Sequence, residues 1–179
     1  NYSACWAFLK ESKTFLFIAL GIFLVSILIG FLFPIFYVEQ IMALIEELTK
    51  EFAGLGAFAT VAKIFWNNFA VAIMTIILGV VFGLIPLIGL VTNGYLIGFI
   101  SNTAVRELGV GSLWRLAPHG VFELPAILFA MGIGLRLGFS MFHKDFKRRF
   151  KESFRFLIFV IFPLLLIAGI IEGLLITFA

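Results

Sequence analysis

The run Thr14–Phe36, TFLFIALGIFLVSILIGFLFPIF, contains no charged residue. About 20 mostly apolar residues are enough for a helix to cross the hydrocarbon core of a bilayer. Lipid offers no hydrogen-bond partner to a bare backbone, so such a run is expected to span as a helix. Four further apolar runs follow, at about 64–85, 87–105, 118–142 and 154–178. The sequence therefore predicts an all-α protein, a polytopic transmembrane helical bundle of five spans forming a single domain over 1–179. Composition excludes the soluble alternative. Hydrophobic residues make up 63% and charged residues 13%, against about 45–50% and about 25% in soluble domains.

The segment 38–60 differs from the other runs. Ile41, Leu44, Ile45, Leu48 and Phe52 recur at helical spacing, with Glu39, Glu46, Glu47, Lys50 and Glu51 between them. It is too charged to span and reads as an amphipathic interfacial helix. Pro34 closes the first span, and Pro86 with Gly89 is expected to make the turn between the second and third, which must then form a tight antiparallel pair.

Orientation follows from the distribution of lysine and arginine. With the N-terminus in the cytoplasm, Lys10, Lys13, Lys144, Lys147, Arg148, Arg149, Lys151 and Arg155 lie inside, while Lys50, Lys63, Arg106 and Arg115 lie outside. This distribution favours a multi-pass protein of the cell membrane with a cytoplasmic N-terminus. Arg136, Lys144, Lys147, Arg148, Arg149 and Lys151 are read as topology or lipid-contacting charges, with Arg136 snorkelling to the inner surface or pairing with lipid phosphate. The basic balance, pI near 9.2, comes from short clusters beside apolar runs, and no nucleic-acid partner is expected. The chain opens on Asn1 and not on methionine, so residues upstream are expected.

Glycines four apart recur in the last four spans: Gly79/Gly83, Gly94/Gly98, Gly134/Gly138 and Gly169/Gly173. Small-xxx-small faces let helix backbones approach closely. Asn93, Gly94, Gly98, Gly120, Gly134 and Gly138 are accordingly expected at helix-packing faces.

Chemistry concentrates in LAPHGVFELPA. His119 and Glu123 stand four residues apart, on one helical face and about 6 Å from each other. A charged residue at a helix centre costs about 2.5–3.5 kcal/mol on insertion scales, which makes an intramembrane carboxylate a functional candidate. In the proposed topology Asn67, Asn68, His119, Glu123 and Glu172 all fall in the outer half of the bilayer, forming a polar pocket; Asn93 falls nearer the inner side. Two readings stay open for the pair: Glu123 accepts hydrogen bonds from Asn67 or Asn68 and locks the bundle, or it handles a proton or a cation. Glu172 either faces the same interior or pairs with Arg106 or Lys63. No metal site is expected, because catalytic zinc takes three protein ligands and only one histidine lies in a span. No cofactor is expected, and no P-loop or activated serine is visible. Cys5 is read as inert.

NNFAVAI, TNGYLIG and APHGVFELPA, followed by a glycine-rich helix and a basic connector, resemble the stage II sporulation protein M-like family of membrane proteins. The resemblance covers roughly 67–172, and Asn67, Asn68, Asn93, Gly94, Pro118, His119, Gly120 and Glu123 match its recurring positions, to which no catalytic role attaches. It implies a polytopic α-helical fold; the best-known bacterial member serves as a membrane scaffold for peptidoglycan-remodelling hydrolases. The expectation is a non-enzymatic scaffold or partner-binding protein, a homodimer in contact with lipid and with an extracytoplasmic or membrane protein partner. The alternative is a small transporter or channel using Glu123 and His119 to bind a cation or proton.

Overall fold

Each apolar run becomes a helix whose backbone pairs internally, and five are long and apolar enough to cross a membrane. The structure, a computed structural model, describes residues 2–178, apart from the side chains of residues 115–119 and 178. Helix α1 covers Tyr2–Leu32, α2 Val38–Phe52, α3 Ala57–Leu78 and α4 Leu84–Leu108. A 3-10 turn over Val110–Leu116 leads to α5, Ala117–Phe139. The last crossing is one continuous helical rod made of α6 (Phe146–Phe156), a π-helical segment (Leu157–Ile161) and α7 (Phe162–Phe178). No strand occurs among the described residues.

Two local features differ from the sequence expectation. The α3–α4 turn lies at Gly79–Gly83, where the Gly83 N–H donates to the Gly79 carbonyl at 2.8 Å and Phe82 and Gly83 both take positive φ. Pro86 sits in the first turn of α4, where its missing N–H has no intrahelical acceptor to lose. It therefore starts the helix and does not break it. The basic segment after α5 is likewise no loop, since most of it forms α6. Pro163 cannot donate to the carbonyl four residues back, and the widened turn just before it has the Phe162 N–H donating to Leu157 instead.

Packing fixes the relative directions of the helices. Gly94 and Gly98 of α4 lie against Phe23–Phe31 of α1, with numbering rising in the same sense, so these helices run parallel. Gly132 of α5 meets Leu16 of α1, and Arg136 meets Glu11, an antiparallel arrangement. Gly169 and Gly173 of α7 rest on Phe65 and Val61 of α3, again antiparallel. Chain direction thus alternates through five crossings. Side chains sort the helices by depth in the bundle: 56% of the apolar window of α5 is buried, against 22–33% in the other four. α5 is the central helix, and the cores on its two sides include Ala126, Ala130 and Leu137 on one and Met131 and Leu135 on the other.

Candidate functional site

The bundle has an α2 end, which gathers the ends of α1, α4 and α7 and the starts of α3 and α5, and an opposite α6 end. Close packing of α7 on α3 decides what meets at the α2 end. A Cβ on Gly173 would collide with Val61, whose backbone nitrogen lies 2.9 Å from that position, and this approach brings Glu172 of α7 toward the Asn68 face of α3. Among the described side chains, the polar neighbours of the Glu123 carboxyl group on α5 are the Glu172 carboxyl group and the side-chain amide of Asn68.

These groups border two cavities. One, of about 470 Å³, is lined by Glu51 and Phe52 of α2, Lys63, Asn67 and Asn68 of α3, and by Glu123 and Glu172. The other, of about 350 Å³, lies toward α1 and α4 and is lined by Phe23, Asn93, Leu96, Gly120, Glu123 and Glu172, among others. Both cavities share the two carboxyl groups, which stand where the chambers adjoin. Acceptor oxygens and carboxamides from five helices (Glu51 of α2, Asn67 and Asn68 of α3, Asn93 of α4, Glu123 of α5 and Glu172 of α7) thus border these cavities, an arrangement that suits a donor-rich or cationic group.

Amphipathic α2 roofs the first chamber. Lys63 Nζ pairs with Glu51 at 3.2 Å and lies 5.3 Å from the Phe52 ring centroid. Apart from this tether and buried Ile41, α2 packs little on the bundle; Met42, Leu44 and Leu48 are exposed. Tyr95 pins the chain just before α2: its hydroxyl accepts from the Phe36 N–H at 3.0 Å and donates to the Phe33 carbonyl at 3.0 Å.

Of the residues read from sequence as the pocket, Asn67, Asn68, Glu123 and Glu172 line the first cavity together; His119 falls outside the described side chains. Asn93 and Gly120, expected at helix-packing faces, lie in the wall of the second cavity. Asn93 donates to Gly89 within its own helix at 2.8 Å. A Cβ on Gly120 would meet only Leu124, of the same helix, at 3.6 Å. Gly94 and Gly98 abut α1, while Gly134 and Gly138 abut α3 and the turn after it. Lys63 and Glu51 were missed as pocket residues. Lys63 stands one helical turn before Asn67, a spacing that could have signalled it. Glu172 is in the interior with Glu123, and Lys63 pairs with Glu51 instead of with it.

The charged residue at the opposite end also departs from expectation. Arg136 is only 4% exposed and does not reach for lipid phosphate. Its guanidinium donates to Glu11 at 2.8 Å and to the Ser12 hydroxyl at 2.6 Å, and lies 4.8 Å from the Phe8 ring centroid. A carboxylate within reach on α1 holds a buried guanidinium better than a distant headgroup. Arg148 of α6 reaches the same Glu11 at 3.3 Å and Glu152 at 3.2 Å, whereas Lys144 and Lys147 remain exposed.

Among the described residues no three His, Cys, Asp or Glu side chains are grouped so as to hold a metal ion. Fold and site together define a polytopic α-helical membrane protein with a polar chamber opening under an amphipathic helix. The family description of stage II sporulation protein M matches residues 17–175, and the chain belongs to that family. No curated protein and no solved structure matches it.

Proposed function

We propose that the protein is a non-enzymatic membrane scaffold that receives a partner protein at its α2 end and self-associates as a homodimer. The observation that carries this reading is the state of that end. An amphipathic helix with little packing of its own covers an open chamber lined by Glu51, Glu123, Glu172, Asn67 and Asn68. Apolar side chains exposed on α2 beside polar groups that border open space support a recognition surface. The N-terminus is cytoplasmic in this proposal, which places α2 outside.

Photo-cross-linking from position 66, on the exposed Trp66 beside the chamber, tests it in cells. The expected result is a discrete adduct lost in Glu123→Gln, with the dimer still seen by mass in detergent. A monomer without any adduct overturns the reading. A transporter would use the carboxyl groups shared by both chambers, and solute or proton uptake by reconstituted vesicles that disappears in Glu123→Gln would decide for it.

A further inference from the structure

A groove of about 420 Å³ runs between α1 and α5 on the outer surface of the bundle. Its walls are hydrocarbon, with Leu16, Phe17 and Leu20 from α1 facing Pro125, Leu128 and Phe129 from α5. Lys10 and Lys13 close it at the α6 end. From Lys10 to Leu20 is about 15 Å along a helix, about half the hydrocarbon thickness of a bilayer. The slot is therefore as long as one leaflet is deep.

The two lysines are free to take a ligand. Both are exposed, and neither is in an ion pair among the described residues. Glu11, the carboxylate between them in sequence, is engaged by Arg136 at 2.8 Å and Arg148 at 3.3 Å. Trp6, 60% exposed, stands beside them with Lys10 Nζ 5.4 Å from its ring centroid, an aromatic–cation pairing typical of headgroup depth. Two unneutralised cations at the mouth of a leaflet-long apolar slot select a molecule with an anion at one end and a hydrocarbon tail.

We propose that this groove binds an acidic phospholipid, its phosphate between Lys10 and Lys13 and one acyl chain lying along Leu16 and Leu20 against Pro125. The site is separate from the α2-end chamber and does not depend on the scaffold reading.

Native mass spectrometry of the full chain in detergent tests it, with phosphatidylglycerol and phosphatidylcholine of identical acyl chains as probes. Phosphatidylglycerol adducts are expected to dominate. They should weaken about twenty-five-fold in the Lys10→Gln/Lys13→Gln variant, since each surface lysine contributes roughly fivefold toward an anionic lipid. Leu20→Trp, which fills the slot and leaves the lysines in place, should also reduce them and serves if the double variant does not fold. Lys144→Gln/Lys147→Gln should weaken them much less than Lys10→Gln/Lys13→Gln does. Equal binding of the two lipids, loss only in the Lys144/Lys147 variant, or glycerol phosphate competing as well as the whole lipid would each overturn the proposal. So would a second copy of the chain occupying the groove in place of lipid.

Discussion

Two groups of polar residues lie within this apolar bundle, and they are finished differently. At the α6 end, Arg136 has a carboxylate, a hydroxyl and an aromatic face around it. At the α2 end, Glu123 faces another carboxyl group and a carboxamide, with open chambers on both sides. A buried polar group that serves only the fold must have its bonding completed by the protein, because lipid completes nothing. The first group meets that condition. The second is bordered by cavities, and in the proposed reading a partner would complete it there.

The sharpest way to break this contrast is Glu11→Ala, which leaves the Arg136 guanidinium buried without its counter-charge. Removing one partner of a buried pair costs several kcal/mol; because Glu11 itself is 43% exposed, we expect about 3 kcal/mol, read as a large fall in thermal midpoint in detergent. Gly134→Val should come next, at about 1–3 kcal/mol for overpacking, since a Cβ there would lie 2.7 Å from the Thr75 carbonyl oxygen. Gly120→Ala is the matched control. Its Cβ enters the chamber wall, so the same measurement should show little change.

Smaller effects belong to the α2 end. Glu123→Gln should change the stability read from the thermal midpoint by less than about 1 kcal/mol, because it replaces one of two facing carboxyl groups by an amide that can donate to the other; a collapse in stability would place Glu123 with Arg136 as a structural group. Lys63→Met breaks a half-exposed pair worth about 0.2–1 kcal/mol. Its main consequence should be a looser α2, visible as faster hydrogen exchange over Val38–Phe52 without change in α5.

Much of the fold was legible because the two periodicities in the chain are unambiguous. Uninterrupted apolar runs make spanning helices, and the alternation around Ile41, Leu44 and Leu48 makes an interfacial one. The α3–α4 turn was misplaced because Pro86 signals a start of helix as readily as an end, and only the positive-φ pair Phe82–Gly83 shows which. In the site, residue type alone marked Asn67, Asn68, Glu123 and Glu172 as costly in lipid. Asn93 was assigned to a different depth because its helix was read as beginning at Leu87 and its neighbours on α5 and α7 were unknown.

Hydrophobicity is a property of each segment, and so the sequence by itself determined the membrane class, the helices and which polar side chains demand an explanation. Partnership is a property of pairs far apart in the chain. Arg136 finds Glu11 across the α1–α5 interface, and Glu172 approaches Glu123 only because Gly169 and Gly173 let α7 settle onto α3. Which charge is satisfied and which is left facing a cavity depends on helix rotation and close approach, and tertiary packing alone decides both.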